Sequence, residues 1–317
     1  MYRINNMLVG RAIGAVRRWL QNQGVIILTL LGCLSFPVEL LAHQGEERAP
    51  ESSILVDTAW LADNRENSDV VIIDARPPGD YRHGHIAGAI NLPPASSYHS
   101  KLDKRVVSQA GIQNVLGSLG IQSDGHIVIY GSALYMDAAR TFWVLELYGH
   151  DRVSFLSGGY AAWRREGLPV NADIPTPVPV GYLAVIRPGR MATKLQMLLA
   201  IDDPAVGIID TREAVEYQGV ESTASRSGHI PTAGSIPKNN NLEVRNGIFY
   251  IKSLSSLEDL YQGVDEFSRV ILYCNGVRES SITYMALRLL GRKVSVYDGG
   301  WREWGNNPGL PIVTSVQ

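Results

Sequence analysis

The chain of 317 residues contains one pattern twice, and this internal repeat constrains its fold more than any other feature. Segment 70–93, VVIIDARPPGDYRHGHIAGAINLP, is matched by 206–237, which begins VGIIDTREAVEYQGV and ends SGHIPTAGSIP. Segment 127–170 is matched in the same way by 270–312. Because the spacing between the half-motifs is similar, each copy is interpreted as a whole domain and not as one unit of a solenoid.

The two copies set the expected domain limits. We predict a first domain over 52–172 and a second over 185–315, joined by a linker at 173–184. Three prolines alternate with other residues in NADIPTPVPVGY (171–182), which favours an extended connection and excludes helix. The chain is long enough for each domain to bury a core of its own.

Each copy predicts an α/β domain. Four short apolar runs are rich in β-branched residues, as expected for strands covered on both faces. They lie at 70–73, 127–130, 206–209 and 270–273. Apolar residues recur at intervals of three and four over 138–148 and 281–290, which predicts helices. Strands that alternate with helices predict a mostly parallel sheet wrapped by helices in each domain.

The segment 1–42 has the features of a targeting signal. Four arginines precede an apolar stretch at 25–36, and a small residue, Ala42, ends the segment. A helix that spans a bilayer needs about 20 apolar residues, which is more than this stretch provides. We expect an exported, periplasmic protein that is cleaved near Ala42. A retained N-terminal anchor and a lipoprotein attached at Cys33, in the box-like stretch LLGC, are the alternatives.

Composition argues against several classes of function. The net charge of −2 gives no reason to expect a nucleic-acid partner. The sequence has no His, Cys and carboxylate cluster with metal-ligand spacing and no glycine-rich phosphate fingerprint. We therefore predict neither a metal nor a cofactor. We expect a monomer whose possible membrane attachment is through the N-terminus alone.

One of the two cysteines lies where a strand is predicted to end. Cys274 follows the apolar run 270–273 and precedes a predicted helix, within LYCNGVRESS. In parallel sheets, sites form at the carboxyl ends of strands, where a loop enters a helix. Because Cys33 lies in the segment expected to be removed, Cys274 has no intramolecular disulfide partner. It is then either a buried inert thiol or a reactive one.

The neighbours of Cys274 favour the reactive thiol. Backbone N–H groups of a curled loop, the dipole of the following helix and the charge of Arg278 all favour a thiolate with a lowered pKa. We expect Gly276 to adopt the positive φ of a sharp turn, and Ser280 or Ser281 to cap the helix. The same loop would stabilise a persulfide or an approaching oxyanion.

The repeated motifs together resemble the rhodanese family, the sulfurtransferases with two similar domains. The matching segments are IIDAR and IIDTR, GHIAGAINLP and SGHIPTAGSIP, the cysteine loop, and GGYAAWRREGLPV and GGWREWGNNPGLPI. The resemblance covers about residues 55–313. It implies two rhodanese-like domains, of which the first lacks the nucleophile because Gly131 aligns with Cys274.

The resemblance implies a sulfurtransferase of the thiosulfate type. Cys274 would take a sulfur atom from a donor such as thiosulfate and hold it as a persulfide for a thiophilic acceptor. The implied partners are a small sulfur-containing anion and a thiol acceptor. The expected substrate-binding residues are Asn275, Gly276, Val277, Arg278, Glu279 and Ser280. Structural support is expected from Asp210, Arg212 and His229.

Two departures from the family pattern bear on the substrate. Two-domain members usually have glycine three residues after the cysteine, whereas here it stands two after Cys274. The interval from Cys274 to Gly291 is also one residue shorter than that from Gly131 to Gly149, which predicts a deletion in the loop. Glu216 stands where thiosulfate-type members have an arginine, and we expect it to repel an anionic donor.

Two other functions are weighed against sulfur transfer. A cysteine phosphatase of related fold needs its arginine six residues after the cysteine, whereas Arg278 stands four after Cys274. Sulfur transfer fits this spacing better. A non-enzymatic persulfide carrier, loaded by a protein partner, stays open because of the shortened loop and Glu216. The sequence leaves open whether thiosulfate or 3-mercaptopyruvate is preferred.

Overall fold

The structure is a computed structural model that describes residues 54–100, 104–132 and 135–314. The predicted targeting segment, with Cys33 and Ala42, lies outside these residues. Of the helices in the described ranges, none combines the length and the apolar character that crossing a bilayer requires.

The first domain is built around a parallel sheet of five strands. In spatial order these are β1 (Leu55–Val56), β6 (Val153–Leu156), β5 (His126–Tyr130), β2 (Val70–Asp74) and β4 (Ile90–Asn91). Its helices are α1 (Thr58–Asn64), α2 (Pro78–His83), α3 (Gln109–Ser118), α4 (Met136–Leu147) and α5 (Gly159–Arg165), with a 3₁₀ turn at Pro94–Ser97. A short antiparallel pair joins β3 (His85–Ile86) to β7 (Val170–Asn171).

The second domain repeats this topology. Its parallel sheet has the order β8 (Met191–Ala192), β14 (Val294–Tyr297), β13 (Arg269–Tyr273), β9 (Val206–Asp210) and β10 (Gly234–Ser235). Its helices are α6 (Lys194–Ala200), α7 (Ala214–Gln218), α8 (Leu254–Leu260), α9 (Ser280–Leu289) and α10 (Gly300–Trp304). Three 3₁₀ turns lie at Pro188–Arg190, Lys238–Asn241 and Val264–Glu266. The prediction of two α/β domains with parallel sheets is confirmed.

A β-hairpin distinguishes the second domain from the first. It consists of β11 (Leu242–Arg245) and β12 (Ile248–Ile251), paired in antiparallel register. At the corresponding place the first domain has an isolated antiparallel bridge between Tyr98 and Val106. Each of these two segments contacts the other domain, as described below.

The central strands form where the sequence has runs of apolar residues. All five residues of β5 are buried, as are four of the five in β13. Parallel pairing sets Tyr130 opposite Asp74 in the first sheet and Tyr273 opposite Asp210 in the second. Cys274 therefore follows directly at the carboxyl edge of its sheet, beside the end of β9.

One apolar core extends across both domains, beside a smaller core within each of them. Helices α4 and α9 pack against each other, and both contribute to this core together with residues from both sheets. Phe142 and Met285 are among its fully buried members. Part of the predicted linker follows the first domain, where the Val180 N–H donates to the Gly117 carbonyl at 2.9 Å. Because apolar burial contributes about 25 cal/mol per Å², this shared core stabilises the contact between the domains.

Candidate active site

Cys274 is held at the junction of β13, its loop and α10. Its carbonyl accepts a hydrogen bond from the Trp301 N–H at 2.7 Å, and the Asn275 carbonyl accepts one from the Arg302 N–H at 3.2 Å. Gly300 has φ +57°, and a Cβ there would lie 2.6 Å from the Cys274 carbonyl oxygen. A side chain at that residue would therefore push α10 away from the loop.

The thiol of Cys274 is buried, with 1% of the residue exposed. Burial raises its pKa, and the carboxylate of Glu279 raises the pKa further. The Ser280 and Gly276 N–H groups hydrogen-bond to the thiol, and together with the nearby Ser280 hydroxyl they act in the opposite direction. The expected donors are therefore present, but the expectation of a lowered pKa is wrong for this buried thiol because desolvation outweighs them.

The sharp turn of the loop falls on Val277 and not on Gly276. Val277 has φ +73° and is fully buried, whereas Gly276 lies outside the left-handed region. The expectation that glycine would supply the positive φ is wrong. A β-branched residue in this conformation carries backbone strain of about 1–3 kcal/mol, which the surrounding packing must offset.

The first domain shows where the loop is shortened. Tyr135 has φ +55° and stands fourteen residues before Gly149, as Val277 stands fourteen before Gly291. From the left-handed residue onward the two copies therefore have equal lengths. The missing residue lies between Cys274 and Val277.

The two serines after the loop do not cap α9 in the expected way. The hydroxyls of Ser280 and Ser281 donate to the Val277 carbonyl, at 3.0 and 2.9 Å. Serine hydroxyls inside a first turn commonly donate to a carbonyl three or four residues earlier, which removes them from capping. These bonds tie the strained Val277 to the start of the helix.

Arg278 is directed at the first domain. Its Nη2 and Nε lie 2.5 and 2.6 Å from Oδ1 of Asp137, which lies in the first turn of α4. Asp137 is 9% exposed, so the carboxylate is largely shielded from water. The one cation in the sequence 274–280 is thus paired across the domain boundary.

Arg140, also on α4, lies buried near the thiol. Its charge interacts with those of Asp298 and Cys274, and burial lowers its pKa. Nη2 donates to the Lys104 carbonyl at 3.2 Å, and Nη1 lies 3.8 Å from Oδ1 of Asp298. Within the described ranges, Nε and Nη1 make no hydrogen bond. Sequence reasoning missed this residue, although an arginine inside a predicted core helix was a usable signal.

A pocket of about 220 Å³ lies beside the loop, where the two domains meet. It is lined by Lys104, Arg105, Gly276, Asp298, Gly299, Arg302 and Glu303. The Val106 N–H donates to the carboxylate of Asp298 at 2.9 Å, which joins this segment of the first domain to the second. Because its three basic side chains outnumber the two acidic ones, the pocket favours the binding of a small anion.

Glu216 is a neighbour of the loop, as expected from the resemblance to the rhodanese family. Its Oε1 accepts a hydrogen bond from Nδ2 of Asn275 at 2.7 Å, and its Oε2 accepts one from the Glu213 N–H at 3.3 Å. Oδ1 of Asn275 accepts a hydrogen bond from the Thr223 hydroxyl at 2.6 Å. Glu216 thus orients Asn275. Its repulsion of an anionic donor stays a prediction.

Asp210, Arg212 and His229 form a network behind the loop. The Arg212 guanidinium donates to both carboxylate oxygens of Asp210, with Nη2 at 2.6 Å from Oδ2, and reaches the Gly228 carbonyl at 2.7 Å. His229 stacks on Tyr217.

The first domain repeats these contacts with Asp74, Arg76 and His85, although it has Gly131 in place of the cysteine. A network that persists without the nucleophile fits a structural role. In the part of the chain that the structure describes, no three His, Cys or carboxylate side chains are grouped as metal ligands.

The comparisons with known proteins agree with this geometry. The model of the rhodanese-like domain matches residues 57–166 and 193–307. The chain belongs to the rhodanese-like family. The domain limits 52–172 and 185–315, which enclose the two matches, stay predictions.

Relatives of this family cover most of the chain. A putative thiosulfate sulfurtransferase of Mycobacterium leprae is 30% identical, over 82% of this chain and 98% of that protein. The sulfur carrier protein TtuD of Thermus thermophilus is 29% identical, over 82% and 96%. The crystal structure of the 3-mercaptopyruvate sulfotransferase SseA from Escherichia coli superimposes with a TM-score of 0.70 at 28% identity, covering 80% of this chain and all of that one. The predictions of a tandem rhodanese fold and of a rhodanese-type sulfurtransferase are confirmed.

Proposed function

We propose that the protein transfers sulfane sulfur from a small anionic donor, such as thiosulfate, through a persulfide on Cys274. The observation that carries the proposal is the position of Cys274 at the carboxyl end of β13, in a loop whose Gly276 and Ser280 N–H groups face the sulfur. The adjacent pocket, lined by basic side chains from both domains, supports an anionic donor.

The transfer takes place in two displacements. The Cys274 thiolate attacks the outer sulfur of thiosulfate, so that an Sγ–S bond forms while the S–S bond to the leaving group breaks. Sulfite departs with the electron pair. An acceptor such as cyanide then attacks the outer sulfur, thiocyanate leaves, and the thiolate is regenerated. The cycle needs no external oxidant or reductant, and covalent catalysis divides one difficult transfer into two easier steps.

Nearby groups stabilise the anion in both steps. The Gly276 and Ser280 donors lower the pKa of a thiol whose pKa burial raises, and they can bond a persulfide anion equally well. The thiol proton passes to solvent before attack. The buried charge of Arg140 lies near enough to favour the thiolate over the thiol. The first domain thus contributes electrostatics, and the second contributes the nucleophile.

Intact-mass measurement tests this function. Wild-type protein incubated with thiosulfate is expected to gain the mass of one sulfur atom and to lose it on addition of cyanide. The Cys274→Ser variant, which keeps a similar shape without the thiol, is expected to gain nothing. A wild-type protein that stays unmodified by thiosulfate and by 3-mercaptopyruvate, while Cys274 is alkylated, contradicts the proposal.

A persulfide carrier is the second candidate, and the near-complete burial of Cys274 favours it. A thiol shielded from small molecules could be loaded by a protein partner, and one relative is named a sulfur carrier protein. Steady turnover of thiosulfate and cyanide supports the enzyme. Loading that occurs only from a persulfidated protein supports the carrier.

We also propose that the protein acts as a monomer outside the cytoplasm, in the periplasm. The arginines and the apolar stretch of segment 1–42 support this location, with lipid attachment at Cys33 or a retained anchor as alternatives. The expected partners are the small sulfur-containing anion and a thiol acceptor. Cell fractionation followed by intact mass of the mature chain tests both the location and the cleavage near Ala42.

A further inference from the structure

The two charged residues of the loop after Cys274, Arg278 and Glu279, each have a partner of opposite charge. Glu279 lies 3.1 Å from Nζ of Lys238, which also binds Glu213 at 2.9 Å. Arg278 is paired with Asp137 through two N–H groups that converge on one carboxylate oxygen. The loop next to Cys274 therefore presents little net positive charge, although its sequence includes an arginine.

Asp137 is well suited to hold Arg278. It lies in the first turn of α4, where the positive end of a twelve-residue helix favours a carboxylate. It is nearly buried, whereas the Arg278 side chain is 48% exposed. An ion pair that is partly removed from water is screened less than a surface pair, so the charge of Arg278 is effectively cancelled.

Comparison of the two copies shows that Asp137 and its counterpart in the second domain have different partners. Counted from the left-handed residues Tyr135 and Val277, Asp137 corresponds to Glu279. Glu279 pairs with Lys238 inside its own domain, whereas Asp137 is directed at the loop of the other domain. The domain without the nucleophile thereby sets the charge of the loop that has it.

We propose that Asp137 is a specificity-determining residue that, by neutralising Arg278, weakens the binding of strongly anionic donors beside Cys274. The proposal rests on the proposed role of Cys274 as the reacting atom. It identifies the favoured donors as those with less negative charge near the transferred sulfur, in comparison with dianionic thiosulfate.

Alkylation by two reagents of similar size measures this charge directly. Iodoacetate is anionic and iodoacetamide is neutral, and the ratio of their rates cancels any opening of the loop that both require. Labelling of the full-length protein is read on the peptide that contains Cys274, so that Cys33 does not contribute. Because this readout needs no sulfur transfer, it stays informative if the proposed function fails.

The isosteric variant Asp137→Asn is expected to raise the iodoacetate-to-iodoacetamide ratio at Cys274 by roughly three- to fivefold, because one uncompensated positive charge is set free. Asp137→Ser, which keeps a polar side chain at the helix start, is expected to raise it similarly. The matched control is Asp151→Asn, which breaks an exposed pair with Arg187 at 3.1 Å and is expected to leave the ratio unchanged.

The double variant Asp137→Asn, Arg278→Gln separates the proposal from its opposite. If the pair is already neutral, removing both charges returns the ratio to the wild-type value. If Arg278 attracts anions in the wild type, the double variant falls below it, which overturns the proposal. An unchanged ratio in the folded Asp137→Asn protein also overturns it.

Steady-state kinetics then connect the charge to the donor. Asp137→Asn is expected to lower KM for thiosulfate about threefold with kcat little changed, because the freed charge acts on donor binding. A loss of kcat with KM unchanged would indicate a structural role and contradict the assignment. Absent turnover in the wild type, with the alkylation ratios as expected, would refute the proposed function and not this one.

Discussion

The two domains share a sheet topology, but their strand-end loops surround different amounts of space. After β5 the chain continues with Gly131, where a Cβ would lie 3.0 Å from that of Ala138. After β13 it continues with Cys274, whose sulfur lies beside the N–H and the hydroxyl of Ser280. Counting from the left-handed residues, Ala138 corresponds to Ser280. The first domain thus lacks both the nucleophile and the hydroxyl that lies beside it.

The segments of the opposite domain that adjoin the two strand ends increase this difference in space. In the first domain the Tyr135 hydroxyl donates to the Phe249 carbonyl of β12 and accepts from the Gly158 N–H at 2.8 Å. A Cβ on Gly158 would lie 2.9 Å from the Tyr250 ring, so the hairpin closes this strand end tightly. Lys104 and Arg105 instead line the pocket that lies between the two domains beside the cysteine loop. One fold therefore supports a reactive site only where the adjoining segment leaves room.

The largest expected effect comes from exchanging the two loop residues. Cys274→Ser is expected to lower sulfur transfer by at least about 10³-fold, because the nucleophile is lost. Adding Gly131→Cys to this variant is not expected to restore it, since Ala138 crowds the new side chain and supplies no hydroxyl. A thiosulfate–cyanide assay measures both variants. Transfer by the exchanged cysteine would show that space and donors do not distinguish the domains.

Ser280→Ala gives the second domain the residue that the first domain has at the corresponding position, Ala138. The hydroxyl of Ser280 lowers the pKa of Cys274, so its removal is expected to raise that pKa and to slow alkylation at neutral pH by up to about tenfold. The pH–rate profile with iodoacetamide is expected to shift to higher pH. Ser281→Ala is the matched control, because the hydroxyls of both serines donate to the Val277 carbonyl, whereas that of Ser280 also lowers the pKa of Cys274. An equal shift in both variants would contradict the assignment.

Tyr135→Phe tests the closed strand end. The substitution leaves the buried Gly158 N–H and the Phe249 carbonyl without this hydroxyl, so the free energy of unfolding is expected to fall by about 1–3 kcal/mol. Urea denaturation measures the loss. Alkylation of Cys274 is expected to stay at the wild-type rate, and a change there would mean that the two strand ends are coupled.

Lowering the pH is expected to have the smallest effect, a loss of stability that arises in the first domain. His150 is buried between the Gly125 carbonyl and the Tyr182 hydroxyl, and burial lowers its pKa. The unfolded chain binds a proton at higher pH than the folded one. The stability that neutral, buried His150 contributes is therefore fully present above about pH 6.5. It is lost as the pH falls through the lowered pKa.

Thermal unfolding at pH 7.5 and pH 5 measures this effect as a fall of a few degrees in Tm. The His150→Gln variant is expected to show a smaller fall, because its side chain does not titrate. At the corresponding place the second domain has Arg292, which forms an ion pair with Asp265. An undiminished fall in the variant would assign the acid sensitivity to other groups.

The sequence predicts the scaffold well because its signals are local. The four predicted strands each lie within one residue of the observed limits, since buried parallel strands are apolar throughout. The repeat places Cys274 at a sheet edge before any coordinate is known. The resemblance to the rhodanese family places Glu216 near the site, where its contact with Asn275 is found.

The charges at the site could not be predicted in the same way. Asp137 stands 141 residues before Arg278, and its contact depends on how α4 packs against α9. Burial of Cys274 likewise depends on tertiary packing, which reverses the direction expected for its pKa. The positive φ of Val277 was missed because local rules assign such a conformation to glycine.

The core shared by α4 and α9 gives the two domains matching apolar surfaces. The linker between them is exposed at Ile174 and Val178, and it can be cut without touching either sheet. Two polypeptides made this way would hold Arg140 and Cys274 on different chains and would meet through the same apolar surface. Recovery of the wild-type alkylation rate at Cys274 would then measure the association of the two polypeptides, as in a fragment-complementation sensor.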